Sequence, residues 1–408
     1  MKYITRTLER KFLRMDGFFK AILVTGARQV GKTTMLRHLA QGQNRSYVSL
    51  DNIEARHLAK TDPIMFFQAY KPPIIIDEVQ YAPELFTQIK IICDGTDATG
   101  LFWLTASQQF AMMKNVRETL AGRIGILELF ALSNSEKAGV FFDSELDFSL
   151  SGLQLRQSQS EKNDVSRIFE HIWRGGMPQV AFADDEQREE YYRAYTQTNI
   201  MRDVTEFGGI TDTLRFGIFL RASAALVSEQ VNYKTLAEAV GISQPTAKDW
   251  LTLLEGMGIV YLLRPYANSA LKRLAKTPKL YFCDTGLAAH LSLWPTWQIL
   301  MNGAVSGRFF ENFVVMELLK SYAYSPVRAH LTYLRDANTK EIDVLVEREN
   351  LIHPLEIKKT ARPDSREVRK FDVLDKANAR RGPGGIICMC EEVLPINGMD
   401  CFIPCNLI

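Results

Sequence analysis

The stretch Gly26-Ala27-Arg28-Gln29-Val30-Gly31-Lys32-Thr33 constrains this chain more than any other, because it fills the phosphate-loop pattern G-x-x-x-x-G-K-T in full. Ala21-Ile22-Leu23-Val24-Thr25 before it predicts a short buried strand, and Thr34-Met35-Leu36-Arg37-His38-Leu39 after it predicts the start of a helix. Glycines at such a junction let the backbone curl with its N–H groups pointing inward, and a helix N-terminus adds partial positive charge. The run from Gly26 to Thr34 therefore reads as a cradle for phosphate oxygens. Lys32 is placed to reach the β- and γ-phosphates of a nucleoside triphosphate, and the Thr33 hydroxyl to ligate Mg²⁺. A chance glycine turn would not come with both flanking elements.

A second run supports the same site. Pro73-Ile74-Ile75-Ile76-Asp77-Glu78 is apolar and ends in two acids, as a buried parallel strand carrying a Walker B motif does. Asp77 is expected to hold Mg²⁺, directly or through water, and Glu78 to polarise an attacking water. A third strand, Leu101 to Thr105, runs into Ala106-Ser107-Gln108, which puts the Ser107 hydroxyl beside the γ-phosphate. Further on, Glu118-Thr119-Leu120-Ala121-Gly122-Arg123 precedes another apolar run, Ile124 to Leu129. Arg123 is in a position to act as an arginine finger for a neighbouring subunit of a homo-oligomer. The alternative is an arginine that packs or ion-pairs within its own subunit. The chain is expected to bind ATP with Mg²⁺.

The motifs continue through nearly the whole sequence. After the phosphate loop come Ser49-Leu50-Asp51, Ile76-Asp77-Glu78-Val79-Gln80, Leu104-Thr105-Ala106-Ser107 and Leu120-Ala121-Gly122-Arg123. Gly175-Gly176-Met177-Pro178, Arg202-Asp203, Asp284-Thr285-Gly286-Leu287 and Glu356-Ile357-Lys358 follow. In residues and order this resembles the bacterial and archaeal AAA-type ATPases that join an ATPase module to a winged helix and a C-terminal restriction-endonuclease-like domain. Ala106 departs from that resemblance, standing where the family usually has glycine before the sensor serine. The resemblance implies an α/β protein: a P-loop AAA-type parallel sheet, a helical lid, a winged helix and a C-terminal α/β nuclease-like domain. The expected divisions are 1–152 for the ATPase core, 153–227 for linker and lid, 228–268 for the winged helix and 269–408 for the nuclease-like domain.

At 408 residues the chain is long enough for two to four domains, and 46% hydrophobic with 24% charged residues is ordinary for a globular protein. A formal net charge of +2 does not decide about nucleic acid, since a near-neutral whole can carry a basic face. Apolar runs are short and interrupted by charge, so no membrane span is expected. Met1-Lys2-Tyr3-Ile4-Thr5-Arg6 is not followed by an apolar signal core, which points to the cytoplasm. Cys388, Cys390, Cys401 and Cys405 cluster near the end. Their spacing is not a familiar zinc pattern, and Gly385 to Cys390 reads as a buried strand in which the thiols pack as small hydrophobes.

Strand and helix signals alternate up to about residue 130, which argues a parallel sheet covered by helices. The polar stretch from Leu153 to Asp164 reads as a loop or linker, and the signals from Val165 to about Val227 are helical. Thr235 to Val240, a turn at Gly241-Ile242, and a second helix capped by Ser243 make a helix-turn-helix; Gly258 to Arg264 then reads as a strand. The exposed face of the second helix offers Gln244, Thr246, Lys248 and Asp249, a weak basic footprint for DNA, and winged helices also serve as packing modules. The basic run from Lys272 through Arg273 and Lys276 to Lys279 is a better phosphate-contact candidate, unless it is only a solvated face.

In the C-terminal part, Glu341 to Val346 and Pro354 to Lys359 read as strands, and alternation puts Glu356 and Lys358 on one face. With Glu311 upstream, the set resembles the PD-(D/E)xK nuclease constellation. That resemblance implies that Asp343 and Glu356 hold Mg²⁺ at a scissile phosphate, that Lys358 orients or activates the water, and that Glu311 completes the metal's surroundings. An edge strand of alternating charge, or a nuclease fold kept for binding or packing, is the other reading. Two functions stay open: an ATP-dependent enzyme acting on DNA, or a nucleotide-controlled interaction protein without nucleic-acid chemistry.

Overall fold

Five consecutive apolar or β-branched residues, Ala21–Thr25, form β1, and every one of them is buried. In the computed structural model β1 is flanked by two parallel neighbours, β4 (Phe102–Ala106) and β5 (Ile124–Glu128). Beyond β4 lie β3 (Ile74–Asp77) and then β2 (Ser46–Ser49), giving the order β2-β3-β4-β1-β5. The structure describes residues 3–107, 119–142, 145–160, 164–206, 208–267, 277–335, 341–376 and 380–408. The chain divides into two compact units, one of residues Met1–Leu132 with Leu253–Ile259, the other of Ser133–Thr252 with Val260–Ile408.

In the first unit, α1 (Leu8–Asp16), α2 (Lys32–Leu39), α3 (Ile53–Thr61), α4 (Pro63–Ala69) and α5 (Leu85–Asp94) accompany the sheet. Asp62 caps α4 by accepting from Met65 N, and Pro63 occupies the first turn, where a missing N–H costs nothing. The strand order has one consequence for function. Because β4 lies between β1 and β3, the residues that follow β4 sit between the phosphate loop after β1 and the acids that end β3.

The second unit opens with α6 (Asn134–Ala138) and α7 (Leu150–Ser158). The expected linker therefore begins as a helix: Leu153 and Arg156 are buried, and Arg156 Nε donates to Leu407 O at 2.8 Å. Six helical segments follow: α8 (Val165–Arg174), α9 (Asp185–Ala194), a π-helical turn (Tyr195–Ile200), α10 (Met201–Glu206), α11 (Thr213–Ala225) and α12 (Tyr233–Val240). Gly241 ends α12 in the left-handed conformation, and α13 (Gln244–Gly256) follows with Ser243 Oγ accepting from Thr246 N at 3.2 Å, the cap expected from sequence. Next, β6 (Val260–Leu263) pairs antiparallel with β7 (Lys279–Phe282).

After α14 (Thr285–Leu291), α15 (Trp297–Asn302) and α16 (Ser306–Tyr324) comes a six-stranded mixed sheet. Its strands are β8 (His330–Arg335), β9 (Glu341–Arg348), β10 (Leu351–Lys358), β11 (Gly384–Cys388), β12 (Leu394–Pro395) and β13 (Asp400–Pro404), in the order β12-β13-β11-β10-β9-β8. β8, β9 and β10 run antiparallel, and β10 and β11 run parallel. Cys388 and Cys390 join Ile342, Leu345 and Phe371 in the hydrophobic core, as the apolar reading of that run expected. Among the described residues no helix is long and apolar enough to cross a membrane.

Candidate functional site

The phosphate loop is built on backbone conformations that few residues tolerate. Gly26 has φ +140°, and a Cβ there would lie 2.1 Å from Leu129 O, so only glycine fits. Gln29 and Gly31 also have positive φ, which turns successive N–H groups toward one concavity. From the end of this loop α2 begins, so its first free N–H groups face the same space. Lys32 is 5% exposed and its Nζ donates to Gly26 O (2.9 Å), Ala27 O (2.8 Å) and Ser107 Oγ (3.2 Å). From below, Arg6 Nη1 donates to Val30 O and Nη2 to Phe130 O, at 2.8 and 2.6 Å, bracing the loop.

The acids ending β3 meet this loop through β4. Thr33 Oγ1 donates to Asp77 Oδ1 at 2.5 Å, Thr105 Oγ1 donates to the same oxygen at 2.6 Å, and Tyr47 OH donates to Asp77 Oδ2 at 3.3 Å. Glu78 takes a left-handed conformation, φ 57° and ψ 48°, in which its N–H donates to Thr105 Oγ1 at 2.9 Å. Backbone strain of this kind in a residue with a side chain collects at functional sites. Ser107 Oγ donates to the Glu78 carboxylate at 2.7 and 3.0 Å, and Gln80 Nε2 also donates to it. Burial alone would push the Glu78 carboxyl up. The Lys32 charge, the hydrogen bonds from Gln80 and Ser107, and the Arg28 charge outweigh it and hold the group below the usual range. Glu78 is therefore an anion at neutral pH.

These residues fit a Mg²⁺–triphosphate. A hydroxyl and a carboxylate in direct contact, Thr33 and Asp77, are the hard oxygen donors such a metal takes from protein, with phosphates and water supplying the rest. Arg123 stands elsewhere. It precedes β5, at the opposite end of the parallel sheet from the loop after β1, and pairs with Asp94 of α5 through Nε (2.5 Å) and Nη2 (3.1 Å).

The C-terminal acids lie on the face built by β9, β10 and α16. Leu355 opposite Val344 in the antiparallel register brings Asp343 beside Glu356 one step on. Asp343 Oδ2 accepts from Ile357 N at 2.9 Å. Glu356 is 1% exposed; its Oε1 accepts from Lys358 Nζ (2.6 Å) and Lys370 Nζ (2.8 Å), while its Oε2 is buried without a hydrogen bond. Burial, and then the Asp343 charge, push Glu356 up to about 7, against Lys358 and Lys370. The same two causes push Glu311 up to about 7, against Lys279 and Tyr281. Lys279 is 3% exposed, and its ammonium reaches Glu311, Glu341 and Asp343. The basic run expected to touch phosphate thus ends in a buried lysine, and Lys272, Arg273 and Lys276 lie outside the described residues. Glu311, Asp343 and Glu356 do not make one preformed cage: among the described residues no three Asp, Glu, His or Cys side chains are placed to hold a metal ion.

Three comparisons bear on these units. Residues 18–138 match the family model of the AAA domain. Together with the five-stranded parallel sheet and the loop geometry, that match decides the first unit. It is an AAA-type P-loop ATPase module. Residues 165–298 and 306–408 match two domains of unknown function (DUF8612 and DUF4143). Uncharacterized proteins of Mycobacterium bovis and Mycobacterium tuberculosis are each 26% identical over 390 residues, covering 95% of this chain and 80% of theirs. An uncharacterized protein of Haemophilus influenzae is 22% identical over 346 residues, 79% of this chain and 78% of its own. Among solved structures, a Walker-type ATPase of Pyrococcus abyssi aligns with TM-score 0.45 at 15% identity, over 71% of this chain and 96% of its own. The RuvB Holliday junction branch migration motor of Thermotoga maritima aligns with TM-score 0.30 at 17% identity, over 66% of this chain and 91% of its own.

Within the ATPase module the structure joins Lys32 and Thr33 of the phosphate loop to Ser107, Glu78 and Asp77, and leaves Arg123 paired with Asp94. Ala106, buried in β4, leaves Ser107 within reach of both Lys32 and Glu78. Sequence reasoning missed Arg6 and Tyr47, which belong to no motif, and the contact that Thr105, inside the Leu104-Thr105-Ala106-Ser107 motif, makes with Asp77. It also missed Gly258, which has φ +69° and sits so close to the loop that a Cβ would lie 3.2 Å from Ala27 N. Gly258 lies two residues past the end of α13, where a glycine is commonly read only as a helix stop. Two other motifs prove to be one knot: Asp284 caps α14, accepts from Gly176 N (2.7 Å) and takes the Tyr192 hydroxyl (2.7 Å), tying Gly175-Gly176 to Asp284-Thr285-Gly286.

Proposed function

We propose that this chain hydrolyses ATP in its AAA-type module and couples that cycle to a nuclease-like C-terminal domain that acts on DNA. The observation that carries the first half is the Lys32–Ser107–Glu78 chain beside the Thr33–Asp77 contact. Lys32 exchanges its loop carbonyls for β- and γ-phosphate oxygens when ATP enters. Bound Mg²⁺, held by Thr33 and Asp77, supplies charge neutralisation at the same phosphates. Glu78, anionic and held by Ser107 and Gln80, accepts a hydrogen bond from the attacking water and aligns it. Ser107 links this carboxylate to Lys32, so the presence of the γ-phosphate is felt at the base. For Arg123 to serve a neighbour's phosphate in a homo-oligomer, it has to release Asp94.

The order α16, β8, β9, β10, β11, with Asp343 on β9, Glu356 and Lys358 on β10 and Glu311 on α16, supports a PD-(D/E)xK-like reading of the C-terminal domain. The α12–turn–α13 pair followed by the β6–β7 ladder supports a winged helix. A second reading, a nucleotide-controlled switch whose nuclease-like domain binds without cutting, is favoured by one observation: lysines already occupy the acids. The test is cleavage of end-labelled linear and circular DNA with Mg²⁺ or Mn²⁺, with and without ATP, beside Glu356→Ala and Lys358→Ala. Cleavage lost in both variants supports the enzyme reading. No cleavage by protein that still turns over ATP supports the switch.

A further inference from the structure

The expectation that Glu311, Asp343 and Glu356 gather around Mg²⁺ meets a cation that the chain itself supplies. Lys279 Nζ stands 3.0 Å from Glu311 Oε1, 2.5 Å from Glu341 Oε1 and 3.8 Å from Asp343 Oδ1, and its side chain is 4% exposed. Magnesium demands oxygens at about 2.0–2.1 Å in near-octahedral array. The oxygens here stand 2.5–3.8 Å from the position that the Lys279 ammonium fills, all beyond a Mg–O bond.

The lysine is held in place from several sides. Lys279 begins β7, in register with Leu263 of β6. Asn312, fully buried and next in sequence to Glu311, clamps the other end of β7: it accepts from Phe282 N at 2.7 Å and donates to Phe282 O at 2.9 Å. Between these points Tyr281 OH donates to Glu311 Oε1 at 2.7 Å. Residues 264–266 after β6 run along β8, with Tyr266 N donating to Tyr333 O at 2.6 Å, and the Tyr333 ring lies 5.6 Å from Lys279 Nζ. Strand, helix and loop thus agree on where this ammonium sits.

We infer that Lys279 is the built-in counter-cation of this carboxylate cluster and takes the place of a divalent ion between Glu311 and Asp343. The inference rests on the nuclease-like reading only for where a metal would be expected. An ammonium neutralises carboxylates, but it has no open coordination position in which to bind and activate a water. At this position, then, the domain is assembled without metal and delivers no metal-activated nucleophile. The reading also accounts for a lysine kept charged in a buried setting: burial disfavours the charged form, and Glu311, Asp343 and Glu341 together more than reverse that.

Mn²⁺ binding to nucleotide-free, full-length protein, followed by electron paramagnetic resonance of the free ion, tests this without DNA or turnover. Failure of the inference is therefore separable from failure of the nuclease reading, which cleavage assays decide. Wild type is expected to show no Mn²⁺ binding that Asp343→Asn removes. Lys279→Met, which leaves Glu311, Glu341 and Asp343 around a vacated position, is expected to gain a site at least ten-fold tighter than any in wild type. Adding Asp343→Asn to that variant is expected to abolish the gain. An Asp343-dependent Mn²⁺ site in wild type overturns the inference, and so does a soluble Lys279→Met protein with no gain. Should Lys279→Met not yield soluble protein, the wild-type and Asp343→Asn titrations decide alone: identical curves support the inference, and loss of binding overturns it.

Discussion

Each unit holds a buried lysine among oxygen atoms, and the two lysines are prepared for opposite tasks. Lys32 donates to two backbone carbonyls and a hydroxyl, with the Glu78 carboxylate acting on it through charge across Ser107. Lys279 faces three carboxylates. Neutral carbonyls hold an ammonium weakly enough for an incoming phosphate to recruit it, because a charge-assisted bond to an anion is stronger than one to a neutral acceptor. A cation matched to three partly buried carboxylates is not free in that sense, since withdrawing it strands their charge. The lesson is that a lysine beside acids in a nuclease-like frame does not by itself mark a phosphate-handling centre; the charge of what already holds it does.

Breaking the Lys32 side of the contrast gives the largest expected effect. Glu78→Gln removes the base but keeps the volume, and ATP turnover measured by phosphate release should fall by about 10²–10⁴ while nucleotide affinity survives. Lys32→Ala should lose turnover as well as tight nucleotide binding; retained turnover in either variant would remove the site assignment. On the other side, Lys279→Met should destabilise the second unit by about 3–5 kcal/mol in chelator, as expected for one partner removed from a buried ionic cluster. Calorimetric melting checks this, and an unchanged transition would contradict it.

Acid titration sharpens the contrast at lower amplitude. Glu311 and Glu356, pushed up to about 7, bind more protons folded than unfolded between their ordinary range and neutrality. Their share of stability is therefore present at low pH and is lost as pH rises toward and past 7. Denaturant midpoints of the second unit should fall between about pH 5 and 8, and Glu311→Gln should flatten that slope. Glu78 behaves in the opposite sense. Held low, it should leave turnover flat across neutrality and impose an acid limb only below the ordinary carboxylate range. The smallest effect belongs to Arg123→Ala. Its exposed pair with Asp94 should leave melting and ATP affinity unchanged. A turnover loss beyond ten-fold in that variant would assign Arg123 to a neighbour's phosphate.

The phosphate-loop cluster was legible because its parts are local. A loop that binds through backbone N–H groups must spell out its glycines in order, and acids at the end of an apolar strand announce their own position. The contacts of Arg6, Tyr47 and Thr105 were not legible, since each reaches a residue distant in sequence that no local pattern records. The same division holds further on. Strand alternation was enough to pair Glu356 with Lys358, whereas Lys279 reaches Glu311 from 32 residues away and read only as the end of a basic run. The helix Leu150–Ser158 was hidden by polar composition. Its Arg156 is buried against Leu407 near the C-terminus, which only the folded chain brings close.

Phosphate release by wild-type and Glu78→Gln protein, each saturated with ATP and Mg²⁺ and each checked for bound nucleotide, tests the central claim most directly. The account predicts steady turnover by wild type, and nucleotide-loaded Glu78→Gln protein that releases phosphate at least a hundred-fold more slowly. Equal rates in the two proteins, or no turnover by nucleotide-loaded wild type, would contradict it.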